Sequence, residues 1–193
     1  MIRAADAADV PAMLEIYAPY VKNTCYTFEY EVPTVEEFTR RVQQTLEQFP
    51  WLVWEEDGKV LGYAYGGAKF SRAAYRWCAE ISIYLAPQVQ GKGVGNRLYD
   101  VLESILFAQG YRILYAVITS ENTGSVAFHE KRGYRLRAEL PGCGIKFGRE
   151  LGTFWMEKRS NSVEIPTEFP APWLSIVKND GKFQEILDKM TLS

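Results

Sequence analysis

The segment EISIYLAPQVQGKGVGNRLYDVLESIL, residues 80–106, limits the possible folds of this chain more than any other stretch. It joins an alternating apolar strand to an amphipathic helix through the glycine-rich turn QGKGVG. Alternating glycines at the start of a helix leave backbone N–H groups uncovered, and the helix dipole favours an anion there. Lys92 adds a positive charge. We therefore expect the turn to bind a phosphate group, the alternative being a tight turn whose glycines only relieve crowding.

Two common phosphate-binding motifs do not match this turn. A Walker A loop requires GxxxxGK[ST], but Lys92 is followed by Gly93. A dinucleotide-binding loop requires GxGxxG, but Asn96 stands at the last position. The remaining pattern is Gln90-x-x-Gly93-x-Gly95.

Helical spacing of apolar residues predicts several helices. One follows Asp9, and another follows the capping box formed by Thr34 and Glu37. Two more are expected over 94–109 and 123–131.

Period-two alternation predicts the strands. A β-hairpin is expected around Asp57-Gly58. The other predicted strands cover 76–85, 112–119, 134–140 and 152–158, with the glycine-containing segment 141–150 separating the last two. This order of elements predicts a mixed α/β sheet with helices on both faces.

The composition excludes several classes of protein. The net charge of −2 gives no electrostatic basis for nucleic-acid binding. The three cysteines lack CxxC spacing and the single histidine removes most zinc sites, so we expect no metal. No stretch approaches the roughly 20 apolar residues that span a bilayer, and we expect a cytoplasmic protein without a membrane partner. We expect one domain over 1–159, with 160–193 as its proline-bearing linker and short helix.

Two motifs together resemble the GNAT superfamily of N-acetyltransferases, over roughly residues 1–158. Gln90-x-x-Gly93-x-Gly95 after a strand is similar to the pyrophosphate loop of that family, and SENTGSVAFHEKRGY, 120–134, is similar to its second cofactor segment. The stretches CYTFEYEVPT, R-x-x-Y-x-W-x-x-E and GIKFGRELGTFW resemble the phosphinothricin acetyltransferase branch. The resemblance implies the GNAT fold, with a mostly antiparallel central sheet flanked by helices on both faces, acetyl-CoA as co-substrate and a homodimer.

The resemblance also implies which residues bind acetyl-CoA. Backbone groups of one strand would pair with the pantetheine amides, one N–H would polarise the thioester carbonyl, and the glycine loop would hold the pyrophosphate. Asn122 and Ser125 would bond the pantetheine arm, and Lys131 would lie near the adenosine phosphates. The strand and loop residues concerned are Ile83, Tyr84, Leu85, Gln90, Gly91, Lys92, Gly93, Val94, Gly95 and Asn96.

Glu80 is the candidate general base. An α-amine is mostly protonated at pH 7, so acetyl transfer requires a group that accepts a proton. Glu80 points away from the apolar residues of its strand, where an acid without a purpose or partner would be costly. The alternative is a structural acid paired with Arg72 or Arg76.

His129, the single histidine, occupies a position where many GNAT enzymes carry the tyrosine that protonates the leaving thiolate. An imidazole can donate a proton near neutral pH. Two alternatives stay open: a surface histidine beside Glu130, and Tyr84 as the donor. We do not expect Cys78 to be a nucleophile, because no histidine is adjacent to activate it.

The loop at 68–77 supplies candidate acceptor-binding residues. The guanidinium of Arg72 suits a carboxylate or phosphinate, and Tyr75 lies beside it. Tyr26 and Phe28 would line a side-chain pocket. The hypothesis is N-acetylation of a small amino acid such as phosphinothricin, methionine sulfoximine or methionine sulfone. The alternatives are acetylation of a protein N-terminus, a polyamine or an aminoglycoside, or a non-catalytic acyl-CoA-binding module.

Overall fold

The computed structural model describes residues 1–177 and 181–191, and within these ranges seven strands form one sheet. The order across the sheet is first, second, third, fourth, fifth, seventh, sixth, and every neighbouring pair is antiparallel except the fourth and fifth strands, which are parallel. This confirms the mixed, mostly antiparallel sheet. The strands are β1 (Ile2–Ala4), β2 (Trp51–Glu56), β3 (Lys59–Ala68), β4 (Cys78–Leu85), β5 (Ile113–Thr119), β6 (Arg135–Lys146) and β7 (Arg149–Arg159).

Helices cover both faces of the sheet, as predicted. On one face, Tyr17 of the first helix packs edge-on against Tyr84 of β4, with ring centroids 4.8 Å apart. On the other face, Ile83 and Leu85 of β4 contact the third helix at Gly95. No helix in the described ranges is both long and apolar enough to cross a bilayer. The helices are α1 (Val10–Asn23), α2 (Val35–Leu46), α3 (Val94–Gln109), α4 (Thr123–Lys131), α5 (Trp173–Val177) and α6 (Lys182–Thr191).

Local signals placed most element ends correctly. Asp57 and Gly58 both have positive φ, 50° and 71°, as a tight hairpin turn requires. Thr34 caps α2 by accepting a hydrogen bond from the Glu37 N–H at 3.2 Å. Gly110 ends α3 with φ 104°, in the left-handed region.

The prediction for the last two strands was wrong about their connection. The connecting segment expected over 141–150 is mostly strand, and β6 and β7 meet at the two-residue turn Phe147-Gly148, where φ is 51° and 70°. The pairing register shifts between Leu140 and Gly144. A bulge there accommodates Pro141 and its neighbours without ending the strand.

The prediction for the start of the chain also needs correction. Asp9 does not cap α1 with its side chain, because its carboxylate accepts hydrogen bonds from the Arg3 guanidinium at 2.7 and 2.6 Å. Asp6 instead caps a short 3-10 turn that precedes the helix. The strand β1 was not predicted, because three residues are too few to show alternation.

The C-terminal residues pack on the body of the domain. Trp173 of α5 is 2% exposed. The Gln109 side chain donates hydrogen bonds to the carbonyls of Ala171 at 2.7 Å and Gln48 at 2.9 Å. The expected amphipathic helix is present as α6, whereas α5 was not predicted. The division of the chain at residue 159 stays a prediction.

Candidate active site

A cleft opens in the sheet where β4 and β5 separate. The two strands pair only over Cys78–Glu80 and Ile113–Tyr115. Beyond these residues β4 stays paired with β3, and β5 stays paired with β7. The cleft lies between residues 81–84 and 116–118. Because no strand of the described residues pairs with the edge of β4 that faces the cleft, this edge is open to a ligand.

The cleft is narrow, about 80 Å³ in volume, and collects residues from four parts of the chain. Sequence reasoning missed Tyr99, Tyr20 and Ser82, since each reads as an ordinary residue of a packed helix or strand. The predicted residues that line the cleft are Tyr26, Ile83, Tyr84, Asn122, Ser125 and His129.

Leu85 and Gln90 are joined by a hydrogen bond at the end of β4. The Leu85 carbonyl accepts hydrogen bonds from the Tyr20 hydroxyl at 2.7 Å and the Gln90 side-chain amide at 3.1 Å. The Leu85 N–H donates to the same hydroxyl at 3.4 Å. Both predicted residues therefore hold the strand end against α1 in this structure.

The glycine loop has the geometry of an anion cradle. Gly91 and Gly93 have φ of 72° and 82°, and a Cβ at either would meet no heavy atom within 4 Å. The positive φ at both positions therefore requires glycine, and the space that a side chain would occupy there is open. The next two residues, Val94 and Gly95, are buried, and no side chain caps the N-terminus of α3. The first N–H groups of this helix have no intrahelical acceptor, so the loop fits a diphosphate.

A polar groove continues from the loop along α3 and α4. Lys131 and Asn96 line it together with Lys158, and Lys92 is exposed on the loop. Arg132, which sequence reasoning missed, donates to both the carbonyl and the side-chain oxygen of Asn96 at 3.2 Å. Three cationic side chains, Lys131, Arg132 and Lys158, therefore line this groove.

Asn122 and Ser125 form the N-terminal turn of α4. The Asn122 side-chain oxygen accepts a hydrogen bond from the Ser125 N–H at 3.1 Å and so caps the helix. Both residues line the cleft.

His129 is 2% exposed, so the surface-histidine alternative was wrong. Its Nδ1 lies 2.8 Å from the Ser125 carbonyl, and its Nε2 lies 3.2 Å from the Tyr99 hydroxyl. Because a carbonyl can only accept, Nδ1 carries the proton and Nε2 accepts from Tyr99. Burial lowers the pKa of the imidazole, which is therefore neutral near pH 7. In the described part of the chain, no group of three or more His, Cys, Asp and Glu could hold a metal ion.

Tyr84 points to the α1 face of the sheet. Its ring packs edge-on against Tyr17 and Tyr20, with centroids 4.8 and 5.2 Å away. Burial raises the pKa of its phenol well above the ordinary value. The alternative donor is therefore enclosed among other tyrosines.

Glu80 is the last residue of β4 that pairs with β5. It therefore lies at the fork of the cleft, the point where the two strands diverge. Its Oε2 accepts a hydrogen bond from Lys69 Nζ at 2.8 Å. Pairing with Arg72 or Arg76 was the wrong alternative, since the cation bonded to Glu80 is Lys69. Cys78 lies on the same strand face, and burial, with the charge of a nearby glutamate, raises the pKa of its thiol. The thiol is therefore neutral, as expected for a residue that is not a nucleophile.

The predicted acceptor residues lie on two sides of this fork. Arg72 and Tyr75 line a surface pocket that also contains Lys69, and Tyr75 packs on Phe70 with centroids 4.6 Å apart. Tyr26, 44% exposed, lies at the cleft on the other side.

Phe28 lies apart from these residues. A Cβ at Gly144 would fall 2.3 Å from the Phe28 ring, so the ring packs directly on β6. Close by, Lys146 donates to the Thr27 carbonyl at 2.7 Å and ties the same loop to β6. Phe28 thus anchors the loop that carries Tyr26.

Comparison with known proteins identifies the family. The family described as an acetyltransferase (GNAT) domain matches residues 2–155. The chain is 35% identical over 173 residues to a phosphinothricin N-acetyltransferase of Streptomyces viridochromogenes, and the match covers 89% of this chain and 90% of that protein. It is 36% identical over 166 residues to an L-methionine sulfoximine/L-methionine sulfone acetyltransferase of Salmonella typhimurium, with 86% and 97% covered.

A solved structure shares the fold and carries the co-substrate. The GNAT superfamily phosphinothricin acetyltransferase from Sinorhizobium meliloti, crystallised in complex with AcCoA, superimposes with a TM-score of 0.84 at 36% identity. The match covers 90% of this chain and 96% of that one. The chain therefore belongs to the GNAT family of acetyltransferases and is an acetyl-CoA-dependent N-acetyltransferase.

Proposed function

We propose that this enzyme acetylates the α-amine of a small amino acid or analogue, of the phosphinothricin, methionine sulfoximine or methionine sulfone type. One observation carries the proposal: Glu80 stands where β4 and β5 part, between the cleft and the loop that carries Arg72. A carboxylate at the fork can accept a proton from an amine that enters from the Arg72 side. The names of the two curated relatives support this class of acceptor.

The co-substrate supplies an acetyl thioester. The loop around Lys92 would hold its diphosphate, and the free edge of β4 at Ile83 and Tyr84 would pair with its amide arm. Lys131 would contribute charge near the adenosine phosphates. Held in this way, the thioester would lie in the cleft, next to Glu80.

The transfer is a direct displacement without an acyl-enzyme. Glu80 accepts one proton from the ammonium of the acceptor, directly or through water, and frees the nitrogen lone pair. The N–C bond then forms as the C–S bond breaks. The nitrogen gives up a second proton as the amide forms, the departing thiolate takes up one proton, and the proton held by Glu80 is released to solvent. An N–H of the free β4 edge would donate to the carbonyl oxygen.

For the proton that the thiolate receives, we propose His129 as the source. Its position on the cleft wall supports this role. Its Nε2 accepts from Tyr99 and carries no proton in this structure. To act as the source, the ring would first take up at Nε2 the proton that the nitrogen of the new amide gives up, and would pass it to the thiolate through the Tyr99 hydroxyl. Tyr84 is less suitable, because its ring is enclosed between α1 and β3.

For the acceptor, we propose that Arg72 binds its carboxylate or phosphinate through a planar pair of N–H donors. Tyr75 and Phe70 supply an aromatic wall beside it, and Tyr26 closes the opposite side. Phe28 contributes indirectly, because it holds the loop that carries Tyr26.

A thiol-release assay with a panel of amines tests this function. We expect turnover with phosphinothricin, methionine sulfoximine or methionine sulfone, and a raised KM for these acceptors in Arg72→Gln. Turnover only with peptides, polyamines or aminoglycosides would contradict the acceptor class. Coenzyme A binding without turnover of any amine would indicate a binding module instead.

We also propose that the chain forms a homodimer. The edge strand β6 supports this, because Leu136, Leu140 and Ile145 are exposed along it. Sedimentation velocity at micromolar concentration tests the proposal, and a single monomeric species would contradict it.

A further inference from the structure

Lys69 is an almost buried cation in the wall of the acceptor pocket. Its side chain is 8% exposed, and its ammonium lies 2.8 Å from Glu80 Oε2. The same nitrogen lies 3.8 Å from the centroid of the Trp155 ring. A lysine is rarely buried to this extent unless its charge is paired, so the contact with Glu80 is the reason that the ammonium is tolerated here.

The surrounding strands fix this pair. Lys69 follows directly after the last residue of β3, where Ala68 pairs with Ala79 and Gly67 pairs with Glu80. On the other side, Glu80 pairs with Tyr115 of β5. The pairing of β4 with β3 and with β5 therefore fixes the backbone positions from which the two side chains meet.

Lys69 occupies only one oxygen of the carboxylate. No hydrogen bond to Glu80 Oε1 is made by the described residues, and the Glu80 side chain is 34% exposed. The face of Trp155 attracts the ammonium and limits where it can move. One oxygen is thus held, while the other is left for a proton.

We propose that Lys69 is a positioning residue for acetyl transfer: it holds the Glu80 carboxylate in one orientation at the fork of the cleft. This rests on the proposed role of Glu80 as general base. The hydrogen bond of 2.8 Å joins the ammonium to Oε2 and so fixes the direction in which Oε1 points. Without the ammonium, the side chain of Glu80 rotates more freely and spends less time in the productive orientation.

The other ionisable groups near Glu80 cannot replace this contact. Four of them are tyrosines or a thiol, which are neutral near pH 7. The fifth is a glutamate whose carboxylate is bonded to Tyr115, Arg137 and Arg159. These groups are Tyr65 on β3, Cys78 on β4, Tyr99 on α3, Tyr115 on β5 and Glu157 on β7.

The test compares Lys69→Met and Lys69→Arg with Lys59→Met, which removes an exposed lysine from the other end of β3. We expect kcat to fall about tenfold to a hundredfold in Lys69→Met. We expect the KM for the acceptor to change little in the same variant. Lys69→Arg should restore most of kcat, and Lys59→Met should change neither kcat nor KM. Coenzyme A affinity, measured by calorimetry, should be unchanged throughout.

Glu80→Gln separates this proposal from the proposed function. If Glu80→Gln keeps full turnover, the base assignment is wrong. If Glu80→Gln is inactive while Lys69→Met keeps wild-type kcat, the positioning role alone is wrong. A raised acceptor KM with unchanged kcat in Lys69→Met would also overturn it, since that result assigns Lys69 to acceptor binding.

A double-mutant cycle of urea unfolding gives a readout without turnover. We expect Lys69→Met and Glu80→Gln to be non-additive in the free energy of unfolding, because each removes the same contact. Additive effects would contradict the pairing. Should Lys69→Met fail to fold, Lys69→Gln carries the same measurements.

Discussion

Glu80 and Tyr115 form the last paired position of β4 and β5 before the two strands part. The carboxylate therefore stands at the closed end of the cleft, while the glycine loop stands beyond the open end of the same strand. A single strand thus connects the proposed base to the proposed diphosphate site. This explains how one extended ligand can be held at one end and react at the other.

The position of Glu80 predicts a large effect of Glu80→Gln on chemistry alone. The amide has nearly the same shape but cannot accept the proton of the ammonium, so we expect turnover to fall about 100-fold to 10,000-fold. Initial rates of thiol release near pH 7 measure this. Coenzyme A affinity by calorimetry should stay within error of wild type, and wild-type turnover would reject Glu80 as the base.

Gly93→Ala should weaken coenzyme A binding about tenfold, because a left-handed alanine costs about 1–2 kcal/mol and the loop can relieve that strain only by turning its N–H groups. No neighbouring atom would clash with the new Cβ, so the effect is conformational. Isothermal titration calorimetry with coenzyme A measures it.

Gly58→Ala is the matched control for Gly93→Ala. Gly58 also has positive φ, 71°, and open space around its Cβ position, but lies in the hairpin turn between β2 and β3. We expect it to lower thermal stability without changing coenzyme A affinity. Equal affinities in the two variants would contradict the diphosphate site.

The sequence was sufficient for features that depend on neighbours along the chain. The glycine loop, the helix that follows it and the end of that helix at Gly110 all have local signals. The turn Asp57-Gly58 is equally local. Elements of this kind were predicted within one or two residues.

Features that depend on distant pairing could not be predicted. Nothing in the alternation of β4 shows that its pairing with β5 stops at Glu80, and the cleft exists only because of that. Lys69 lies beside Glu80 because of the register in which β3 pairs with β4, and the sequence does not show that register. Pro141 reads as a loop residue locally, but the partner strand β7 continues the ladder past it.

The burial of His129 predicts how stability depends on pH. Burial lowers the pKa of the imidazole below its ordinary value of 6.5, so the unfolded chain binds a proton that the folded chain does not. The contribution of the neutral imidazole to the free energy of unfolding is therefore present in full above pH 6.5. It is lost as the pH falls below 6.5, at no more than about 1.4 kcal/mol per pH unit. Urea unfolding at pH 7.5, 6.5 and 5.5 measures this loss.

His129→Asn supplies the comparison, because asparagine does not titrate. Carboxylates contribute equally to the pH dependence of both proteins, so the difference between them isolates the imidazole. We expect the wild type to lose more stability than the variant between pH 6.5 and 5.5. Parallel curves would show that the ring is not held neutral in the folded protein.

Two neighbouring residues of α5 should contribute very differently to the free energy of unfolding. Trp173 is 2% exposed and packs edge-on against Phe183 at 5.4 Å, whereas Leu174 is 44% exposed. Trp173→Ala leaves a cavity and should lower the free energy of unfolding by about 3–5 kcal/mol. Leu174→Ala should change it by no more than about 0.5 kcal/mol. Urea unfolding of both variants decides the matter, because similar small losses would mean that the tail is a dispensable appendage rather than a part of the folded core.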